Sequence, residues 1–563
     1  MRRFALLLVV CCLVTGTARF SLAPALAAPV AQDSAPGTLR VALAPPGSLD
    51  PVRLSRFDLG TRDLVENLFV GLTRYDPLTQ TVEPMLATEW TVSPDGLTWT
   101  FTLREDVYWM QVAGEAVVPT RPVVAGDFVY SIQRACDPQR PSPVTPNLMI
   151  VQGCQTVAQV FPDAIDDLFL AREIGVRATG QYTLEIQLMY PAAYFPSLAS
   201  TPEFRPVARE GVAQLESTVP SNAILTNGPY ALQQWDTAGM MLVRNESWPE
   251  PFIGNVDRVE VVFTNAATTT IALVGGNRTD YGRLPGDEVP AARGAYPDLF
   301  QMGSGNTVVV AGFSYDRAVV IEPGARRALA LAVDGSTLVE SLLAGQALPI
   351  QQFTPTGTVA APPTGSLAFD PGAAAASFSD AGFPGCNAVP ETLILLVPDD
   401  DPLWTQIGEA ITGQWSMWLG CNPALLEVRP ISRVLLINLG HSAYDEEQVT
   451  RSHMWIATWS ADYPDANGWL FDALHCQYGY LRPGRACDEA DALLEQASVE
   501  MDPTRRAELY AEVETLFFGP EGSFPVIPLF ATAAAWLQQP ALSAVNAVGP
   551  ARYDLWVITS GTE

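Results

Sequence analysis

A single hydrophobic core stops growing at roughly 250–300 residues. This chain runs to 563 residues with 48% apolar content, so it must build more than one. Two or three domains are expected. Trp, Tyr and Phe are spread along the whole length and only 17% of residues are charged, a composition that argues against a long disordered region. No repeat of fixed period runs through the sequence, which sets aside solenoids and propellers.

Every basic residue is arginine, because lysine does not occur. That removes the P-loop lysine, a Schiff-base lysine and the Ser-x-x-Lys nucleophile pair together. A net charge of −29 repels phosphate backbones, so nucleic acid is not an expected partner. Its simplest use is solubility.

Residues 1–27 read as a secretory signal, with Arg2 and Arg3, an apolar stretch from Phe4 to Val14, and Ala25-Leu26-Ala27 as a small-residue cleavage site. Arg19 leaves the stretch too short to span a bilayer comfortably. Cys11 and Cys12 lack the small preceding residue of a lipoprotein signal. The expected location is periplasmic or otherwise extracytoplasmic.

Six cysteines follow the signal, and an even number in an exported chain points to disulfides. Proximity favours Cys136 with Cys154, Cys386 with Cys421 and Cys476 with Cys487, among fifteen connectivities. The metal alternative would recruit His475 beside Cys476, but the chain has only three histidines to help fill a site of three or four ligands.

Residues 97–103 alternate strictly, with Leu97, Trp99, Phe101 and Leu103 on one side and threonines on the other, after the turn Pro94-Asp95-Gly96. This predicts a half-buried strand. Residues 183–188 and 259–263 alternate similarly. Asp502-Pro503 makes an N-cap and first-turn pair ahead of Tyr510, Val513, Leu516 and Phe517 at helical spacing. A second helix is expected over 326–343. The runs 138–146 and 354–385 are rich in loop-forming residues and are expected to be surface excursions. The fold class is therefore mixed, α/β or α+β.

Catalytic patterns do not emerge. No Gly-x-Ser-x-Gly elbow, His-Glu-x-x-His pair or complete dinucleotide fingerprint occurs. Asp399-Asp400-Asp401 could offer oxygens to a hard cation, although adjacent carboxylates more often cap a loop. His441, His453 and His475 have no visible partner for acid–base work. Neither an enzymatic role, a metal nor a cofactor is expected.

Several segments, taken in order, resemble the peptide and nickel group (family 5) of periplasmic solute-binding proteins, most closely the oligopeptide binders. These are Thr38 to Val41, Ser48-Leu49-Asp50-Pro51, Asn67 to Leu72, Pro84 to Trp90, Asp95 to Arg104, Gly126 to Ser131, Asn227-Gly228-Pro229-Tyr230, and Trp459-Ser460-Ala461-Asp462-Tyr463-Pro464-Asp465. The likeness spans about residues 38–558.

The resemblance implies a type II periplasmic binding protein of two α/β lobes with an extra third domain and a ligand cleft. Lobe I would comprise 38–61, 206–308 and 525–563; the extra domain, 62–205; lobe II, 309–524. It implies capture of short peptides for an ABC importer, whose membrane permease subunits would be partners, by a monomeric chain; the alternatives are the same fold binding another solute, such as a nickel chelate or sugar, or acting as a ligand sensor, with a secreted hydrolase behind them. Asp462 would meet the peptide ammonium. Trp459, Ser460, Ala461 and Tyr463 would border the ligand, and the loop from Asp50 to Arg53 would face it from the other lobe. A basic residue that oligopeptide binders can offer a few positions before the tryptophan is replaced by Ile456 and Ala457, leaving only His453 farther upstream for a ligand carboxylate.

Overall fold

A computed structural model describes residues 37–559, apart from 56–57, 77–78, 141, 144, 163–164, 218–220, 344–345, 364, 440–451, 482–483 and 547–548. The signal segment, Cys11, Cys12 and His441 lie outside the described residues.

The alternating segment forms the strand Thr98–Leu103, antiparallel to Ala87–Val92 and Thr183–Gln187. Trp99, Phe101 and Leu103 are buried, as the period of two requires. Asp502 caps the helix Pro503–Phe518 by accepting from Arg505 N at 2.8 Å. Tyr510, Val513 and Phe517 point into the core, as spaced.

Two expectations fail for local reasons. The helix expected over 326–343 is two helices, Pro323–Leu331 and Gly335–Leu342, because Asp334 turns its carboxylate onto Thr337 N and starts a new one. The run 354–385 contains the helix Pro371–Asp380, capped by Asp370. Its alanines are strong helix formers, and the surrounding Gly and Pro masked them.

Apolar side chains collect into two main cores. The first is built almost wholly from residues 39–281, with Tyr463 and a C-terminal contribution from Trp536 to Trp556. The second runs from Val308 to Ala531. One eleven-stranded sheet passes through both. Its central pair is the antiparallel strands Phe300–Phe313 and Val526–Gln538, which begin beside one core and end in the other.

The register of this pair breaks between Ser304 and Val308. A Cβ on Gly305 would lie 2.5 Å from Thr532 O, so only glycine lets the two backbones cross this closely. Gly305→Val is therefore expected to lower stability by about 1–3 kcal/mol in urea unfolding. Gly294→Ala, in a helix with open space around it, is the control and is expected to be neutral or mildly stabilising.

All three proximal cysteine pairs form disulfides. The sulfur of Cys476 is thus committed to Cys487, and Asp491 is held by Arg485, so the zinc reading around His475 fails. Asp400 pairs with Arg433, and Asp401 caps the helix Pro402–Leu419, which gives that acidic run structural work. His453 is buried and accepts from Ile394 N through Nδ1 at 3.3 Å. His475 accepts from Gln477 N and Tyr478 N.

Candidate functional site

The strand Met454–Trp459 runs antiparallel to Phe300–Phe313, and its last residue pairs with Val308, at the edge of the register break. The chain then leaves the sheet as Ser460–Asp465. This segment is pinned at nearly every residue. Ser460 Oγ and Thr307 Oγ1 are 2.6 Å apart, and Asn306 Nδ2 donates to Ala461 O at 3.2 Å. Pro464 O accepts from Val359 N at 3.1 Å, and Val359 O accepts from Ala466 N at 2.9 Å.

Asp465 closes the segment. It is fully buried, caps the helix Ala466–Leu474 through Asn467 N, accepts from Ser197 Oγ at 3.0 Å and forms an ion pair with buried Arg506. Tyr463 reaches the other way and stacks on Tyr194, with ring centroids 5.3 Å apart. Its hydroxyl donates to Asp472 Oδ2 at 2.8 Å. Burial pushes the Asp472 carboxyl up to about 7, with Asp462 and Asp465 adding to the rise against the Tyr463 hydrogen bond.

Between these fixed points Ser460, Ala461, half-buried Asp462 and Tyr463 line a cavity of about 320 Å³. Its floor is the crossing pair, at Ser304–Thr307 and Thr532–Ala534. Its second-core wall also includes Pro355–Thr358. The opposite wall belongs to the first core and is carried by Arg62, Asp63 and Glu66 of the helix Leu59–Leu68, with Tyr75 and Arg205.

Charges on that wall are mostly spent internally. Asp63 accepts from Arg283 Nε at 2.7 Å and from Ala551 N at 2.6 Å. Glu66 pairs with Arg205. Burial alone would raise Glu66, but Arg205, with Arg552 and Arg74 farther off, holds it below its ordinary value.

Other sequence-derived candidates stand elsewhere. Asp50 is fully buried, pairs with Arg134 and caps the turn Pro51–Arg53. It does not border the cavity, because its carboxylate is needed by a buried guanidinium. Arg53 is exposed, 3.8 Å from Asp50, and does not border the cavity either. Trp459 donates from Nε1 to Gly468 O at 3.0 Å and packs on Tyr480, so it supports the segment from behind. Sequence reading missed Asp465, Arg506 and the whole wall on Leu59–Leu68. Asp465 carried a readable signal, an Asp two residues before Asn467 at a helix start.

Glu514 anchors the cavity loop at its beginning. It is buried and accepts from Phe353 N at 2.5 Å and Thr354 Oγ1 at 3.2 Å. Burial pushes it up to about 7, against the pull of those hydrogen bonds. A folded-state value above the unfolded one means that the stability contributed by the neutral acid is full below about pH 4.5 and is lost as pH rises through about 7, at about 1.4 kcal/mol per pH unit. Glu514→Gln is expected to flatten this dependence and raise the urea midpoint at pH 8.

The description "Bacterial extracellular solute-binding proteins, family 5 Middle" matches residues 81–480. The chain belongs to this family. It is 24% identical over 505 residues to the oligopeptide-binding protein OppA of Bacillus subtilis, covering 86% of this chain and 85% of that one. It is equally 24% identical over 498 residues to the probable deoxycholate-binding periplasmic protein YgiS of Escherichia coli, covering 86% of each. Among solved structures, the unliganded open form of the murein tripeptide binding protein MppA superposes with a TM-score of 0.78 at 22% identity, covering 93% of this chain and 98% of that one. The family-5 fold is thus two-lobed and mixed α/β, as the sequence motifs implied. Among the described residues no helix is long and apolar enough to cross a membrane.

Proposed function

We propose that this family-5 protein captures short peptides outside the cytoplasm and delivers them to the permease of an ABC importer. The single observation that carries the reading is Asp462, a half-buried carboxylate on a rigidly held segment, lining the cavity between the two cores. A carboxylate there gives a peptide ammonium a charge-assisted hydrogen bond and penalises ligands without a cation. Main chain at Ser460 and Ala461 would lie alongside the ligand, a contact indifferent to its side chains.

A division into lobe I, an extra domain and lobe II would let the lobes close around the ligand about the strands that cross between the two cores. The helix Leu59–Leu68 runs through the boundary placed at 61–62, so it moves as one piece. OppA of Bacillus subtilis, by its name, binds oligopeptides. YgiS is named for deoxycholate, so the fold alone leaves the ligand class open. An anionic steroid carries no cation for Asp462 to meet, which favours the peptide.

Native mass spectrometry of protein purified without refolding tests this directly. Co-purified peptides with free amino termini are the expected result. Bound bile acid, sugar or metal chelate in their place would overturn it.

A further inference from the structure

We propose that Arg62 receives the carboxylate end of the ligand, so that the cavity reads both poles of a zwitterionic peptide. The inference rests on the peptide reading above and adds the anchor that the motif around Trp459 lacks.

Three arginines line the cavity. Arg283 is spent on Asp63, and Arg205 on Glu66 and on the carbonyls of Val65 and Phe69. Arg62 differs. Its guanidinium has no hydrogen-bond acceptor or carboxylate partner among the described residues, although the chain holds 61 acidic residues against 32 basic. The acids one turn away on its own helix are occupied elsewhere. Asp58 bonds Thr61 through N and Oγ1, and Glu66 bonds Arg205.

Arg62 is half-buried as a residue, its guanidinium lies at the cavity without a counter-ion among the described residues, and its planar donors match a carboxylate. Tyr75 lines the same wall, and its hydroxyl also lacks a partner among the described residues. Burial, with Asp76 behind it, pushes that phenol up to about 12, so it stays a donor. Arg62 and Tyr75 therefore bring donors without acceptors to the first-core wall, while Asp462 brings an acceptor to the wall of the second core. An extended peptide has matching groups, one at each end.

The test uses the full-length exported protein and one defined pool of tri- to pentapeptides in three forms: free, C-terminally amidated and N-acetylated. Retention is read by equilibrium dialysis and mass spectrometry. The wild-type protein is expected to prefer free over amidated peptides by about tenfold to a hundredfold. Arg62→Gln is expected to bring free peptides down to the level of the amides without changing the amides, and Arg62→Lys to restore part of the preference.

Equal retention of free and amidated peptides by the wild-type protein overturns the proposal, and that comparison needs no variant to fold. So does an Arg62→Gln protein that loses both forms alike. If N-acetylation abolishes retention while amidation has no effect, Asp462 keeps its role and only that of Arg62 falls. If no form is retained, both fall.

Discussion

Arg506→Met is expected to destabilise the fold by about 3–5 kcal/mol, because it leaves the Asp465 carboxylate buried without its cation. Both side chains are nearly inaccessible, at 7% and 0% of their free surface. Asp465 would retain Ser197 Oγ and Asn467 N, which are hydrogen-bond donors without a full charge. The double variant Asp465→Asn with Arg506→Met removes the charge as well as its partner. It should recover much of the loss, so the two changes will be far from additive. Urea unfolding followed by tryptophan fluorescence reads the wild type, the two single variants and the double variant. The effect also reaches the site, since Asp465 ends the segment that carries Asp462.

Asp462→Asn has the second large effect, on binding. It keeps the shape of the side chain and removes the charge, so peptides with a free ammonium should bind about tenfold to a hundredfold more weakly. Their N-acetylated counterparts should change little. Measuring the urea midpoint alongside separates a binding effect from a folding one.

How much of this was readable in the chain depends on how local the cause is. The helix after Asp502-Pro503 and the strand Thr98–Leu103 follow from caps and periodicity within a few residues, and both stand where expected. Asp370-Pro371 carries the same cap signal as Asp502-Pro503, yet the Gly- and Pro-rich surroundings hid it. Asp334 shows the reverse, a cap that splits what the apolar spacing suggested was one helix.

Site residues divide the same way. Ser460 to Tyr463 border the cavity and could be found from the motif they form. Asp50 was misplaced because its partner, Arg134, stands 84 residues away, and nothing in the local sequence reveals that pairing. Arg62 was missed for a related reason: what distinguishes it is the absence of a partner among the described residues, and that is visible only once the nearby acids have been assigned in three dimensions.

Calorimetric titration of the wild-type protein with a single tripeptide, once with its amino terminus free and once acetylated, tests the role of Asp462 most directly. The free form is expected to bind at least about tenfold more tightly, the least that a charge-assisted hydrogen bond contributes. Equal affinity for the two forms would contradict it.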